Sequence, residues 1–196
     1  MTYYLGLTGS IGMGKSTTAQ MFRDEGIPVW DADAAVHELY TQDPAAIAEI
    51  GSAFPAAVID KMVSRDALKQ IIADDPQALS GIEKIIHPLV AQHRQHFIDR
   101  HNASILVFDI PLLYETGGAS WLDSVLVVTA PADVQKARVL ARLGMTAEQF
   151  NLILSRQIPD AEKRARADHI IETLTLDGTR ADVRNLIAEL KRQQHA

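Results

Sequence analysis

No cysteine occurs among the 196 residues, which excludes disulfides, thiolate metal sites and a cysteine nucleophile. Aromatic residues make up only 6%, and no apolar run reaches the length of a membrane-spanning helix. A basic excess is missing too. The formal net charge is −6, so a sequence-independent nucleic-acid binder, which needs a positive face, is disfavoured. The chain opens almost directly on "YYLGLTG", with no basic segment leading into an apolar one. Neither a signal peptide nor a membrane anchor is expected, and a cytoplasmic location follows by default. What is present is ordinary for a globular chain: 47% hydrophobic and 22% charged residues, enough for one main core with insertions.

Short apolar runs alternate with helical patterns. Tyr3 to Thr8 is β-rich and broken by Gly9; a helix is expected from Lys15 to Glu25, closed by Gly26. "IPVW" (27–30) reads as a second strand ending on "DAD". "SILVFD" (104–109) and "SVLVVTA" (124–130) are continuous apolar runs, as expected of strands buried on both faces, and "DHIIE" (168–172) is a weaker third. Thr146 and Gln149 have capping-box spacing, which predicts a helix start after a turn at Gly144 and a run to Pro159. A closing amphipathic helix is predicted over 179–194. Strands alternating with helices predict a parallel α/β sheet with helices on both faces. Two stretches depart from simple alternation, a mainly helical block over about 34–101 that is too long for one crossover and an arginine-rich helix pair over about 132–165. They read as insertions into a core made of about 1–33, 102–131 and 166–196.

Gly9-Ser10-Ile11-Gly12-Met13-Gly14-Lys15-Ser16 fits G-x-x-x-x-G-K-[ST] and lies between a strand and a helix, as the mechanism requires. The glycines let the backbone turn tightly and aim N–H groups at phosphate oxygens, and the helix N-terminus adds partial positive charge. Lys15 is placed to reach the β- and γ-phosphates, and Ser16 to offer its hydroxyl to Mg²⁺. The loop holds a nucleoside triphosphate, but it does not choose among kinases, switches and motors. A guanine-specific switch needs Asn-Lys-x-Asp after a late strand, where this chain has "VVTAPADV". A motor needs an acidic pair, whereas Asp109 is followed by Ile110. Asp109 reads either as a Walker-B-like carboxylate behind Mg²⁺, acting through a bound water, or as a strand-end residue turning the chain before Pro111.

"WDAD" puts Asp31 and Asp33 at the carboxyl end of the second strand, the edge where open α/β sheets bind ligands. In an extended segment both carboxylates face the same way, so either can accept the proton of an acceptor hydroxyl or help order Mg²⁺. The alternative for Asp33 is the N-cap of a helix at Ala34. Arg138 and Arg142 are four apart on one helix face, with Arg156 on the partner helix. They read either as a solvated basic face or as an arginine fork carried by a lid that neutralises a transferring phosphoryl group.

With "GSIGMGKS", "DAD", "IHP", "IPLLYE" and the tract from "RVLARLG" to "RQIPDAEKRARAD", the chain closely resembles the dephospho-CoA kinase family, from Leu5 to about Ile171. The order and spacing of the motifs carry the resemblance. It implies a P-loop kinase core, a helical acceptor-binding insertion after "DAD", and a lid. It also implies phosphorylation of the ribose 3′-hydroxyl of dephospho-CoA by ATP with Mg²⁺, the last step of CoA synthesis. Carried over by position, Gly12 to Thr17 hold the ATP phosphates and Mg²⁺, Asp33 is the base, and Arg142 is a lid arginine. His87-Pro88 matches the family's His-Pro in the acceptor insertion; read without the family it is a helix break with Pro88 opening the next helix. Pro111, Leu112 and Leu113 match a "PLL" loop that shapes the acceptor pocket. Ser10 and Met13 depart from the family's usual residues at x positions that the cradle tolerates. Lys61 stands where a turn glycine is common, and His169 and Thr173 where Asp and Asn are usual. The competing readings are another P-loop small-molecule kinase, of nucleoside monophosphate or shikimate type, and a non-catalytic nucleotide-binding regulator. Intact Lys15, Ser16 and Asp33 argue against the regulator. The expected partners are ATP and dephospho-CoA alone, without nucleic acid or membrane, on a monomer.

Overall fold

The continuous apolar runs become strands because both of their faces are covered. β1 (Tyr3–Thr8) leads through the glycine loop into α1 (Lys15–Asp24), and the chain returns as β2 (Val29–Asp31). Next come α2 (Ala32–Gln42), α3 (Pro44–Ala53), a hairpin of β3 (Val58–Ile59) and β4 (Met62–Val63), α4 (Arg65–Asp74) and α5 (Ala78–Arg100). After β5 (Ile105–Asp109) and β6 (Ser124–Thr129), three helices follow: α6 (Ala132–Leu140), α7 (Ala147–Ser155) and α8 (Asp160–Arg166). β7 (His169–Glu172) and α9 (Leu176–Gln193) close the chain. This computed structural model describes residues 2–194.

The main sheet has the order β2-β5-β1-β6-β7, with β1 parallel to both β5 and β6, and β6 parallel to β7. Leu5, Leu7, Ile105, Val107, Leu126 and Val128 alternate onto one face, where Phe22 of α1 and Val183 and Leu190 of α9 cover them. On the other face, Leu113 packs with Val125 and Val127, and Phe108 meets Trp121 edge-on at 4.7 Å between ring centroids. The α/β class expected from the sequence is the one observed. β1 occupies the centre, so the loop after it opens at the carboxyl edge of the sheet, where such folds bind ligands.

The chain divides into two compact units, Asp31–His101 and the remaining described residues. The Asp31–His101 unit has its own core, built from Leu39, Tyr40, Ile50, Val63, Leu68, Ile82 and Ile86. Pro44 sits at the first position of α3 behind an Asp43 cap, which accepts from the N–H groups of Ala45 and Ala46. Pro88 does not break a helix: α5 runs through it for 23 residues. Proline removes the bond to the carbonyl four residues back, and that residue, Lys84, is exposed, so its carbonyl is not left unpaired in the core.

Other boundaries also moved. α6 stops at Leu140, short of the Gly144 turn, and α7 ends at Ser155 rather than running to Pro159. α9 starts at Leu176, ahead of the expected Thr179, because the Thr175 side chain caps it by accepting from Gly178 N–H at 3.1 Å. The capping box of Thr146 and Gln149 forms as its spacing predicts.

The turn at Lys61 is marked in the sequence, but the two short strands that it joins, β3 and β4, are not. This two-residue turn puts both Asp60 (φ 51°) and Lys61 (φ 63°) in the left-handed region, the conformation of a primed hairpin turn. A lysine side chain is strained there. Lys61→Gly is expected to stabilise the protein by about 1 kcal/mol, read as a raised denaturant midpoint with unchanged slope. A lowered midpoint would show that the lysine is favoured at that turn.

Candidate active site

The loop between β1 and α1 owes its shape to two left-handed glycines, Gly12 (φ 78°) and Gly14 (φ 84°). Both are also tightly covered. A Cβ on Gly12 would lie 2.5 Å from Val139 Cγ2 and 3.0 Å from the Gln135 carbonyl oxygen, and one on Gly14 would lie 2.8 Å from Thr173 Oγ1. Gly9 is buried where β1 ends, beside Val128 of β6. Met13 faces inward: its side chain is 2% exposed, and its sulfur accepts from Ala130 N–H. Only its backbone is available to a nucleotide. Thr173 Oγ1 donates to the Met13 carbonyl at 2.9 Å, which ties the loop to the end of β7.

Lys15 opens α1 and reaches Asp109, the last residue of β5, with Nζ 2.5 Å from Oδ1. The structure therefore joins the P-loop lysine to the strand-end carboxylate, which is almost fully buried. Ser16 and Thr17 follow on the exposed side of the same helix. The hydroxyl of Ser16 and the carboxylate of Asp109 are hard oxygen donors of the kind Mg²⁺ prefers. Among the described residues no cluster of three or more His, Asp or Glu side chains would hold a metal alone.

A cleft of about 240 Å³ lies beside the loop, with Gly12, Gly14, Thr17 and Arg142 in its walls. The Thr173–Leu176 connection into α9 supplies the facing wall. Arg142 is exposed and lines this cleft. Arg138 also lines it, but its guanidinium is committed to structure: it donates to the hydroxyl of Thr173 at 2.9 Å and to the Thr173 carbonyl. It shapes the wall and is not a free member of a fork. Arg156, the residue that ends α7, does not line the cleft. The role of Thr173 was missed in the sequence, although its place at the carboxyl end of the last strand was a usable signal.

Asp31 and Asp33 are arranged differently from the extended reading. The chain turns helical at Ala32, and the N-cap of α2 is Asp31, whose Oδ1 accepts from Ala34 N–H at 3.0 Å. Asp33 lies in the first helical turn with an exposed carboxylate, so it is not the cap. Its backbone carbonyl accepts from Arg65. His87 is exposed on α5.

In the "PLL" segment, the Pro111 carbonyl accepts from the Thr8 hydroxyl at 3.1 Å. Leu112 is 43% exposed, whereas Leu113 is fully buried in the core. Leu113 therefore cannot line an acceptor pocket; it anchors the loop that presents Leu112. Two residues on, Glu115 pairs at 2.7 Å with Lys163 of α8, which is wholly buried, and accepts from Ile158 N–H. Burial pushes the Glu115 carboxyl up, but bonds from Lys163 and Ile158 outweigh it and hold the carboxyl below its usual range.

A family model described as dephospho-CoA kinase matches residues 3–176. A dephospho-CoA kinase from Ruegeria pomeroyi is 58% identical over 191 residues, spanning 97% of this chain and 97% of its own. One from a Jannaschia species is 55% identical over 191 residues, spanning 97% of this chain and 98% of that one. Among solved structures, the protein TT1252 from Thermus thermophilus superposes with a TM-score of 0.85 at 34% identity, over 96% of this chain and 98% of that one. A shikimate kinase from Bacteroides thetaiotaomicron shares the fold, with a TM-score of 0.53 at 15% identity over 97% and 99% of the two chains.

Proposed function

We propose a division of labour among these residues from one premise: the chain belongs to the dephospho-CoA kinase family. It transfers a phosphoryl group from ATP to the ribose 3′-hydroxyl of dephospho-CoA, giving CoA and ADP. The observation that best supports the roles is the left-handed Gly12–Gly14 turn with Lys15 at its exit, 2.5 Å from Asp109.

In this reading the loop amides and Lys15 hold the β- and γ-phosphates, and the cleft walled by Thr173–Leu176 takes the nucleoside. Arg142 places positive charge on the phosphates from that same cleft. Arg156, next to Gln157 whose side chain meets the loop at Ile11, adds a second positive charge to the phosphates as part of a lid over about 132–165. Ser16 would hold Mg²⁺ directly, with Asp109 behind it through water; the ion supplies charge neutralisation for the transferring phosphoryl group. Asp33 takes the proton of the 3′-hydroxyl. Acceptor binding falls to residues of the Asp31–His101 unit, with His87 on α5 and Asp31 at its start. The reading takes the enzyme as a cytoplasmic monomer. Among the described residues no helix is long and apolar enough to cross a membrane.

The assignment of Asp33 has a direct test. Asp31 supplies the cap of α2 and Asp33 is exposed, so Asp33→Asn should fold normally. A base role predicts a kcat loss of about a hundredfold or more, with the KM for ATP within a few-fold of wild type. Wild-type kcat in the folded Asn variant would remove Asp33 from the chemistry.

A further inference from the structure

Ile11 sits at an x position of the glycine loop, where its side chain has no assigned task. Its backbone is another matter. The Ile11 N–H donates to Gln157 Oε1 at 3.1 Å, and the Ile11 carbonyl accepts from Gln135 Nε2 at 2.8 Å. Both partners are side chains more than a hundred residues away, and Gln135 is only 6% exposed. Their amide orientations are not ambiguous. A backbone N–H needs an oxygen opposite it and a backbone carbonyl needs an N–H, so Gln157 must accept and Gln135 must donate.

We propose that Gln135 and Gln157 are positioning residues that clamp the peptide units on either side of Ile11 and thereby aim the phosphate-binding amides. The carbonyl of Ile11 and the N–H of Gly12 belong to one planar trans peptide and point in opposite directions. Pinning the carbonyl on Gln135 therefore fixes the direction of the Gly12 N–H, on a residue that lines the nucleotide cleft. The bond that the Ile11 N–H donates to Gln157 fixes the preceding peptide. Without the clamp, the loop would have to spend binding energy ordering two peptide planes each time phosphate enters.

The two glutamines also flank the excursion that carries Arg142 and Arg156. Gln135 is on α6, before it, and Gln157 follows α7, after it. Each side is independently fastened. The backbone of α6 at Gln135 lies against Gly12. The residue after Gln157, Ile158, donates to Glu115 at 3.0 Å, and Glu115 is held by the buried Lys163. Thr129 at the end of β6 donates to Asp160 at 2.7 Å. The fixed ends of the arginine-bearing segment thus meet at one residue of the phosphate loop, so displacing either end disturbs the loop.

The test exploits the opposite roles of the two amides and rests on the phosphate-loop reading, which wild-type turnover of ATP and dephospho-CoA checks separately. Gln135→Glu, Gln157→Glu and the two Gln→Met variants are assayed for kcat and the KM for ATP at 0.15 M salt, where through-solvent repulsion is screened beyond roughly 8 Å. Both Met variants are expected to lose about tenfold in kcat/KM for ATP. Gln157→Glu keeps an oxygen acceptor and should return to within about threefold of wild type. Gln135→Glu loses its donor, sets a carboxylate against a carbonyl, and should stay at least tenfold down. If the Met variants do not fold, the isosteric Glu pair decides alone. Equal activity of the two Glu variants, or a Gln157→Glu no better than Gln157→Met, would overturn the clamp.

Discussion

Lys15→Ala is expected to lower kcat by about a thousandfold in a protein that still folds. Phosphoryl transfer offers the protein little covalent work, so its contribution is positioning and charge stabilisation, and removing one fixed positive donor costs about 10²–10³ in rate. Lys15 is the donor at the start of α1, directly after the left-handed Gly14, with its ammonium against Asp109. The same contact has a structural cost. Asp109 is 2% exposed, so the variant leaves its carboxylate without the lysine, and a lowered melting temperature should accompany the loss of rate. Lys15→Met, which keeps the aliphatic stem, should lose as much rate with a smaller drop in melting temperature. Steady-state ADP release measured beside a thermal melt separates the two effects. Near-normal kcat in a folded Lys15→Ala protein would contradict the phosphate-loop assignment.

Much of the fold was legible because its signals are local or periodic. The runs at 104–109 and 124–130 read as buried strands because they are short, continuously apolar and rich in β-branched and aromatic residues. Thr146 and Gln149 announced a helix start because the capping box needs only two residue types at one spacing. Elements whose signal is weak or tertiary stayed hidden. The hairpin at Val58–Val63 has strands of two residues each and a turn of Asp60-Lys61 without glycine, so only the resemblance to the family marked its turn and no alternation marked its strands. Pro88 reads as a break by local rules, yet its neighbours Ile82, Ile86 and Phe97 are buried on α5 and keep the helix running through it.

The site was half legible for a similar reason. The glycine loop is contiguous, so its motif states its geometry. Asp31 and Asp33 were visible as residues, but the switch to helix at Ala32 that makes one a cap and frees the other depends on where α2 begins. Arg142 and Arg138 looked equivalent at helical spacing; only the fold shows that Arg138 is spent on Thr173 while Arg142 faces the cleft. The glutamines that hold Ile11 carry no sequence signature, because a glutamine bound to a distant backbone amide looks like any other surface glutamine.

Acceptor choice should show the other large effect. Adenosine presents the same ribose hydroxyl as dephospho-CoA without the pyrophosphate and pantetheine arm, and shikimate presents neither. Binding energy from such remote groups is what positions a hydroxyl for in-line attack, so truncation lowers kcat as well as raising KM. The Asp31–His101 unit is a separately cored body, and we assign to it the contacts with those remote groups. We expect kcat/KM for dephospho-CoA to exceed that for adenosine, AMP and shikimate by about a thousandfold or more, the scale of a few kcal/mol of lost remote contacts. The decisive measurement is turnover of these four acceptors at matched ATP, with each product identified by mass and by the position of the new phosphate. The account predicts CoA, phosphorylated at the ribose 3′-oxygen, as the only product formed at an appreciable rate. Equal or faster turnover of AMP or shikimate would contradict it.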